Sequence, residues 1–427
     1  VRAASKAWLV WAMAVVVYMA AVFHRGSLGV ASLEATTRFG VGPAALGTFS
    51  VLQLLVYASM QVPTGLLVDR FGPRRILTAA ALLMGAGQVL FAVATSYPLG
   101  LAARAVLGLG DAMTFISLLR LASAHFSARQ YSLVVSLTAA LGGLGNLAAT
   151  VPLTLLLHNA GWLATFLVTG LVTGGYALVV ARLKDTPDGP APRAEAARIR
   201  EVALGVRETW RIPGTRLGFW VHFATMQLPA VLALLWGFPY LVRAHGFSEP
   251  VASAVLGVMV IVTIVSGPMI GAVIGRKPEL RMTMVAGYLV VAVGLWSVLL
   301  IGPMPPVLVG IVFAVLSFGL PLSAIGFAIA RDYNPLSRVG TASGVVNVGG
   351  FLATTLAALG IGLVLDVTDS FTYAMLVSGV LTTLGIWRTA VWWRRARAEV
   401  FAAQARGEQV PVRIRQRRWD SAALSVT

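Results

Sequence analysis

The chain contains no cysteine, which excludes disulfide staples and thiolate metal sites. Charge is scarce as well. Asp, Glu, Lys and Arg make up 11% of the 427 residues, where a soluble globular chain carries about 25%. That deficit excludes a cytosolic enzyme. The apolar content equally excludes a disordered chain, which needs low hydrophobicity and high net charge. Lysine occurs only at Lys6, Lys184 and Lys277 among 33 basic residues. No G-x-x-x-x-G-K-[ST] phosphate loop occurs, so nucleotide-driven work by this chain has no support. What the chain does have is apolar residues: 58% of it is hydrophobic and the mean hydropathy is +0.83. At roughly 20 to 25 residues per crossing, there is room for about a dozen spans plus loops. The composition describes a polytopic membrane protein.

Apolar segments fall near 8–30, 44–67, 76–95, 98–124, 131–157, 161–182, 217–243, 249–274, 282–301, 306–330, 341–366 and 370–392. Placing the N-terminus inside puts 28 of the 33 basic residues in interior loops and tails and two, Arg38 and Arg243, outside. Arg25, Arg104 and Arg120 remain within spans. Such an asymmetry sets orientation, so both termini are expected to be cytoplasmic. It also accounts for the net charge of +17 without nucleic acid as a partner.

Four regions are expected: an N-terminal six-helix half over 1–182, a cytoplasmic linker over 183–216, a C-terminal six-helix half over 217–392 and a basic tail over 393–427. In the linker, Ile199, Val202, Val206 and Trp210 recur at helical spacing within a charged run. That pattern suits either an amphipathic helix on the membrane surface or a solvated linker helix. The tail, with Trp419, reads as touching anionic lipid. Six plus six spans around a central loop is the layout of carriers built from two repeated halves.

The segment Gly65–Arg75 reads G-L-L-V-D-R-F-G-P-R-R. Gly65 and Gly72 permit close approach and a tight turn. Asp69 supplies a carboxylate, while Arg70, Arg74 and Arg75 supply cations. The segment resembles G-x-L-x-D-R-x-G-R-R/K, the signature between spans two and three of the major facilitator superfamily, with Pro73 where that pattern is basic. Gly271–Pro278, G-A-V-I-G-R-K-P, is a degenerate echo in the second half, without the Asp. The resemblance implies an all-α fold of twelve transmembrane helices in two pseudo-symmetric halves. It also implies a conformational latch of Gly65, Asp69, Arg70, Gly72 and Arg74. Asp69 would then face the start of span eleven at Gly340–Thr341, where a helix dipole favours an anion. Arg120 is a second candidate partner.

Span four reads R-A-V-L-G-L-G-D-A from Arg104 to Ala112. Arg104 and Asp111 lie about 20° from a shared face and about 10 Å apart along the axis. Asp111 is the only acidic residue well inside an expected span, and a charge there is costly unless it has a partner or a cavity. An Arg–Asp pair that only staples helices is the alternative. In span one, Tyr18 and Arg25 share a face and His24 points about 100° away. Both stretches resemble the anion:cation symporters, the hexuronate and galactonate permease and sialin-like branch. Those carry Asp-Arg in span one and Arg-x-x-x-Gly-x-x-Glu in span four. The resemblance makes Arg25 and Arg104 anion contacts and Asp111 the proton-coupling site. His24, standing where the branch has Asp, joins the coupling group.

Gln53, Tyr57 and Gln61 form a polar stripe on span two. His222, Trp236 and Tyr240 follow a face of span seven, with Pro229 and Pro239 placed to kink it. Asn347 and Thr354 share a face of span eleven. Tyr18, Gln53, Tyr57, Tyr240 and Asn347 are the candidate substrate contacts beside the arginines, although helix–helix hydrogen bonding competes for each. Asn146 and Pro152 do not form the Gly-Pro motif of drug–proton antiporters. The expectation is a monomeric secondary transporter of a small organic anion in the cytoplasmic membrane, coupled to protons, with lipid as its surroundings. No metal, cofactor or catalytic residue is expected. A nitrate-like inorganic anion carrier, an exporter of amphipathic compounds and a non-transporting sensor on the same scaffold remain the alternatives.

Overall fold

The structure, a computed structural model, describes residues 2–41, 43–149, 151–187 and 199–408. It contains no β-strand among the described residues. Eleven helices are long and apolar enough to cross a membrane, and a bent pair, Val51–Ser59 with Gln61–Phe71 at 49°, brings the count to twelve. By contacts the chain forms two units. The first takes described residues within 1–126, 138–204 and 336–344, and the second those within 127–137, 205–335 and 345–427.

The first unit is built from α1 (Arg2–Val30), α2 (Ser32–Phe39), α3 (Pro43–Ser59), α4 (Gln61–Phe71), α5 (Pro73–Val93), α6 (Tyr97–His125), the later turns of α7 (Ala128–Ala148) and α8 (Val151–Val180). In lipid, apolar burial gives helices little reason to associate, so close packing of small residues does that work. A Cβ on Gly85 of α5 would lie 2.6 Å from the Gly174 Cα of α8, so these backbones touch. The spacing Gly170-x-x-x-Gly174 permits the approach. At one end of this unit an aromatic cluster surrounds Phe91, with Phe166 at 5.4 Å and Trp162 at 5.1 Å between ring centres. Arg38 closes the end of α5 by donating to the carbonyls of Ala92 and Ala94 at 3.0 and 2.7 Å.

The second unit holds the first turns of α7, then the later half of α9 (Ile199–Arg211), α10 (Pro213–Val231), α11 (Gly237–Pro239), α12 (Glu249–Arg276), α13 (Arg281–Leu299), α14 (Pro306–Ser317), α15 (Gly319–Tyr333), most of α16 (Val339–Thr368) and α17 (Phe371–Ala405). Its core satisfies aromatic donors on backbone carbonyls, as buried Tyr and Trp require. Trp236 Nε1 donates to Ala358, Trp296 Nε1 to Met375 and Tyr288 Oη to Leu316, at 2.9 to 3.1 Å.

The range of α8 joins two helices across Gly161, whose φ of 73° is not helical, and this is where the expected spans over 131–157 and 161–182 meet. Other details differ from expectation. Span seven does not simply bend at its prolines. It widens into π-helical turns at Leu232–Trp236 and Tyr240–Ala244, on either side of α11. The segment Gly65–Arg75 is a loop only at Gly72, whose φ of 84° ends α4, so Asp69 and Arg70 are helical. The charged run of the linker is helical over Ile199–Arg211, and Trp210 packs edge-on to Phe219 at 5.2 Å. Residues 188–198 and the tail from 409, Trp419 included, lie outside the described residues.

Candidate functional site

The first unit concentrates charge at one buried centre. Arg25 of α1 grips Asp111 of α6 with both arms of its fork: Nη2 donates to Oδ1 at 2.7 Å and Nε to Oδ2 at 3.0 Å. Asp111 is fully buried, whereas the Arg25 side chain is 28% exposed. Gln53 of α3 adds a long donation to Asp111 Oδ2 at 3.4 Å. The Arg25 guanidinium lies 4.7 Å from the Tyr57 ring centre, a cation–π contact that holds the fork in place. Tyr18 stands within electrostatic reach of both Arg25 and Asp111, its ring 5.3 Å from that of Phe115.

Arg104 goes elsewhere. It is fully buried, its Nη1 donates to the His24 carbonyl at 3.3 Å, and its guanidinium lies 5.4 Å from the Phe91 ring centre. Sharing a face with Asp111 does not make the two a contact pair, because two helical turns of about 10 Å separate them. The carboxylate is taken by the arginine that arrives from α1. His24 is buried and its Nε2 pairs with Thr173 Oγ1 of α8 at 2.9 Å. Of the span-two stripe, Gln53 and Tyr57 join the centre, while Gln61 donates to the Tyr57 carbonyl at 2.7 Å.

The remaining candidates belong to the second unit. Tyr240 is buried in the apolar core and spends its hydroxyl on the Leu299 carbonyl at 2.7 Å. His222 Nδ1 pairs with the Ser323 carbonyl at 3.1 Å, and the Asn347 side chain hydrogen-bonds the same imidazole. Thr354 donates to Gly350 one turn earlier in α16. For Tyr240, Trp236 and Thr354 the visible partner is a backbone carbonyl.

A second charged group forms around Asp69 at the end of α4. Oδ1 accepts from the Gly340 amide at 3.0 Å, and Oδ2 accepts from the amide and hydroxyl of Thr341, both at 2.7 Å. These amides open α16, where first-turn N–H groups lack intrahelical acceptors and the dipole favours an anion. Arg120 adds an ion pair, Nε to Oδ1, at 3.3 Å. Gly65, one turn before Asp69, is required by the same approach: a Cβ there would lie 2.5 Å from the Gly340 carbonyl oxygen. Arg74 enters through its backbone, its amide donating to Asp185 Oδ1 at 2.8 Å. Arg70 packs over the neighbouring Phe71 ring at 4.8 Å. Asp185 has no counterpart among the sequence candidates. It reaches α5 from beyond α8, and only its place in the D-T-P-D-G-P turn hinted at capping.

Comparison with known proteins agrees with this architecture. The sequence matches the Major Facilitator Superfamily over residues 11–325 and 233–425. The chain belongs to that superfamily. It is 25% identical to a probable sulfoacetate transporter from Cupriavidus necator, over 86% of this chain and 89% of the relative. It is 22% identical to a probable galactarate/D-glucarate transporter from Escherichia coli, over 90% and 92% respectively. Among solved structures, a superfamily transporter, FucP, in its outward conformation superimposes with a TM-score of 0.70 at 15% identity, over 91% of this chain and 99% of that one. Family and relatives are transporters, so this chain is a multi-pass membrane transporter and not an enzyme. The curated relatives are consistent with the anion:cation symporter-like branch.

Proposed function

We propose that the protein carries a small organic anion across the cytoplasmic membrane by alternating access, in symport with protons. The observation that supports this most is the Arg25–Asp111 pair, in which a fully buried carboxylate holds a guanidinium that is still partly exposed. A substrate carboxylate, sulfonate or phosphate competes with Asp111 for that fork, because planar bidentate recognition is what guanidinium offers. Tyr57, Tyr18 and Gln53 frame the anion, while Arg104 adds positive potential and fixes the α1 backbone at His24. Once the anion holds Arg25, Asp111 loses its counter-charge and favours a proton. Alternating access then exposes the Arg25 centre to each side of the membrane in turn. The Asp69 end is the cytoplasmic one in this reading, and a reporter fused at Thr427 checks it.

The test is uptake of labelled sulfoacetate, galactarate and glucarate into proteoliposomes under an imposed pH gradient, with nitrate as a parallel arm. Saturable uptake of one organic anion supports the reading. Uptake of nitrate alone makes the protein an inorganic anion carrier, and no uptake of any of the three organic anions overturns the organic-anion reading.

Asp69 is proposed as the latch. Asp69→Asn keeps the side chain's shape but removes the charge facing Arg120 and the start of α16. Hydrogen bonds to charged groups are worth about 1.5–3 kcal/mol, so the conformational equilibrium should shift by about tenfold or more. The expected result is intact substrate affinity with initial uptake slowed by a similar factor. Wild-type flux from the variant removes the latch.

A further inference from the structure

The second unit gathers arginines that no ion pair joins to a carboxylate among the described residues. Arg216 of α10 lies within electrostatic reach of Arg211, Arg388 and Arg395, all of which repel it. None of these four forms an ion pair among the described residues. Glu208, one turn before Arg211, and Glu399, one turn after Arg395, are the nearest carboxylates in the chain.

Three of the four cations are interleaved with tryptophan. The Arg216 guanidinium lies 4.5 Å from the Trp392 ring centre and 5.2 Å from that of Trp210. Arg388 lies 5.1 Å from Trp220 and 5.4 Å from Trp387, and Arg395 lies 4.7 Å from Trp392. The rings hold the guanidiniums in place while the charges repel one another. Such an arrangement wants an anion with several oxygens.

The surface leading to the cluster says which anion. Along α17, Tyr373, Val380, Leu384 and Trp387 are all exposed large apolar residues, and Trp387 is 59% exposed. At about 100° per residue they share one face of the helix. Continuing the same arithmetic, Arg388 and Arg395 fall within about 60° of that stripe. An apolar track of several turns therefore ends in a cationic, tryptophan-lined cup. Tryptophan concentrates at the membrane–water interface, and basic residues there attract anionic headgroups.

We propose that Arg211, Arg216, Arg388 and Arg395 form a binding site for an anionic phospholipid, whose phosphate headgroup sits among the four guanidiniums and whose acyl chain lies along the exposed face of α17. The site belongs to the second unit, whereas the Arg25–Asp111 centre belongs to the first, so lipid binding does not require the transport reading to be right.

Native mass spectrometry of the purified full chain, incubated with equal phosphatidylglycerol and phosphatidylcholine, reads the site directly. Wild type should retain phosphatidylglycerol in clear preference. Each basic residue near an anionic lipid contributes a factor of about five, so Arg388→Gln with Arg395→Gln should lower that preference by about twenty-five-fold. Arg388→Lys with Arg395→Lys, which keeps the charges, should retain most of it. If the glutamine pair does not fold, judged by its melting in phosphatidylcholine alone, Arg395→Gln by itself should still cost about fivefold. Equal retention of both lipids by wild type overturns the proposal, as does undiminished preference in the glutamine variants. Inorganic phosphate at millimolar concentration should not displace the lipid. Displacement would make the cluster a free-anion site and would also overturn it.

Discussion

Arg25→Ala is expected to abolish binding of the transported anion, and the loss should survive repair of the variant's stability. Arg25 offers the first unit's centre a guanidinium that is both fixed and partly exposed: the fork is aligned by Asp111, stacked on Tyr57 and 28% open. Truncating one partner of a buried hydrogen-bonded charge pair costs about 2–5 kcal/mol, so affinity for the anion should fall by about thirtyfold or more. The same truncation strands the Asp111 carboxylate in the interior, and breaking a buried pair from one side costs about 3–5 kcal/mol of stability. A poorly folded single variant would therefore prove little. Arg25→Ala combined with Asp111→Asn removes the stranded charge and should recover most of the melting temperature while still failing to bind. Arg25→Lys keeps the charge and loses the fork, and should bind weakly but measurably. Thermal shift and calorimetric titration with whichever anion supports uptake give both readouts. A double variant that melts normally and binds with wild-type affinity would move the substrate site away from Arg25.

The span pattern was legible because a membrane crossing is a long-window property, set by some twenty residues at once and insensitive to any one of them. Features depending on a single residue were less legible. The π-helical turns of span seven at Leu232–Trp236 and Tyr240–Ala244 had no marker beyond the prolines, which predict a kink and not a widened turn. Asp111 stood out as a charge in a span, and helix arithmetic ranked Arg104 as its neighbour because that arithmetic sees one helix. The true partner comes from α1, 86 residues away in the chain. For Tyr240 and Trp236 the reading that ranked helix–helix hydrogen bonding above ligand contact matches what is seen, since each donates to a carbonyl of another helix. Asp69 was different. Its partners at Gly340 and Thr341 were implied by the family resemblance, to which the affinity of a carboxylate for a helix start adds a physical reason, and Arg120 was the second candidate.

Asp111→Asn is expected to separate binding from energy coupling. The amide keeps the size of the side chain and one oxygen facing Arg25, so the helices stay joined and the guanidinium stays placed. What disappears is the charge, and with it the site that takes up a proton when substrate displaces the ion pair. On the proposed coupling, the events in wild type have a definite sign. An arriving anion claims Arg25, the buried carboxylate loses its partner and a proton enters, so substrate and proton each raise the other's affinity by the same factor. Substrate affinity should therefore rise as pH falls in the wild type, by at most about tenfold per pH unit for one coupled proton. The variant, fixed in the neutral state, should bind at every pH much as wild type binds in acid. It should also exchange internal for external substrate freely, because exchange needs no net proton movement. Accumulation against a gradient should vanish, since a pH difference no longer does work on the carrier. Counterflow and gradient-driven uptake in one batch of proteoliposomes separate these outcomes. Should the variant still accumulate substrate fully, Asp111 only staples α1 to α6, and coupling rests with His24 or is absent.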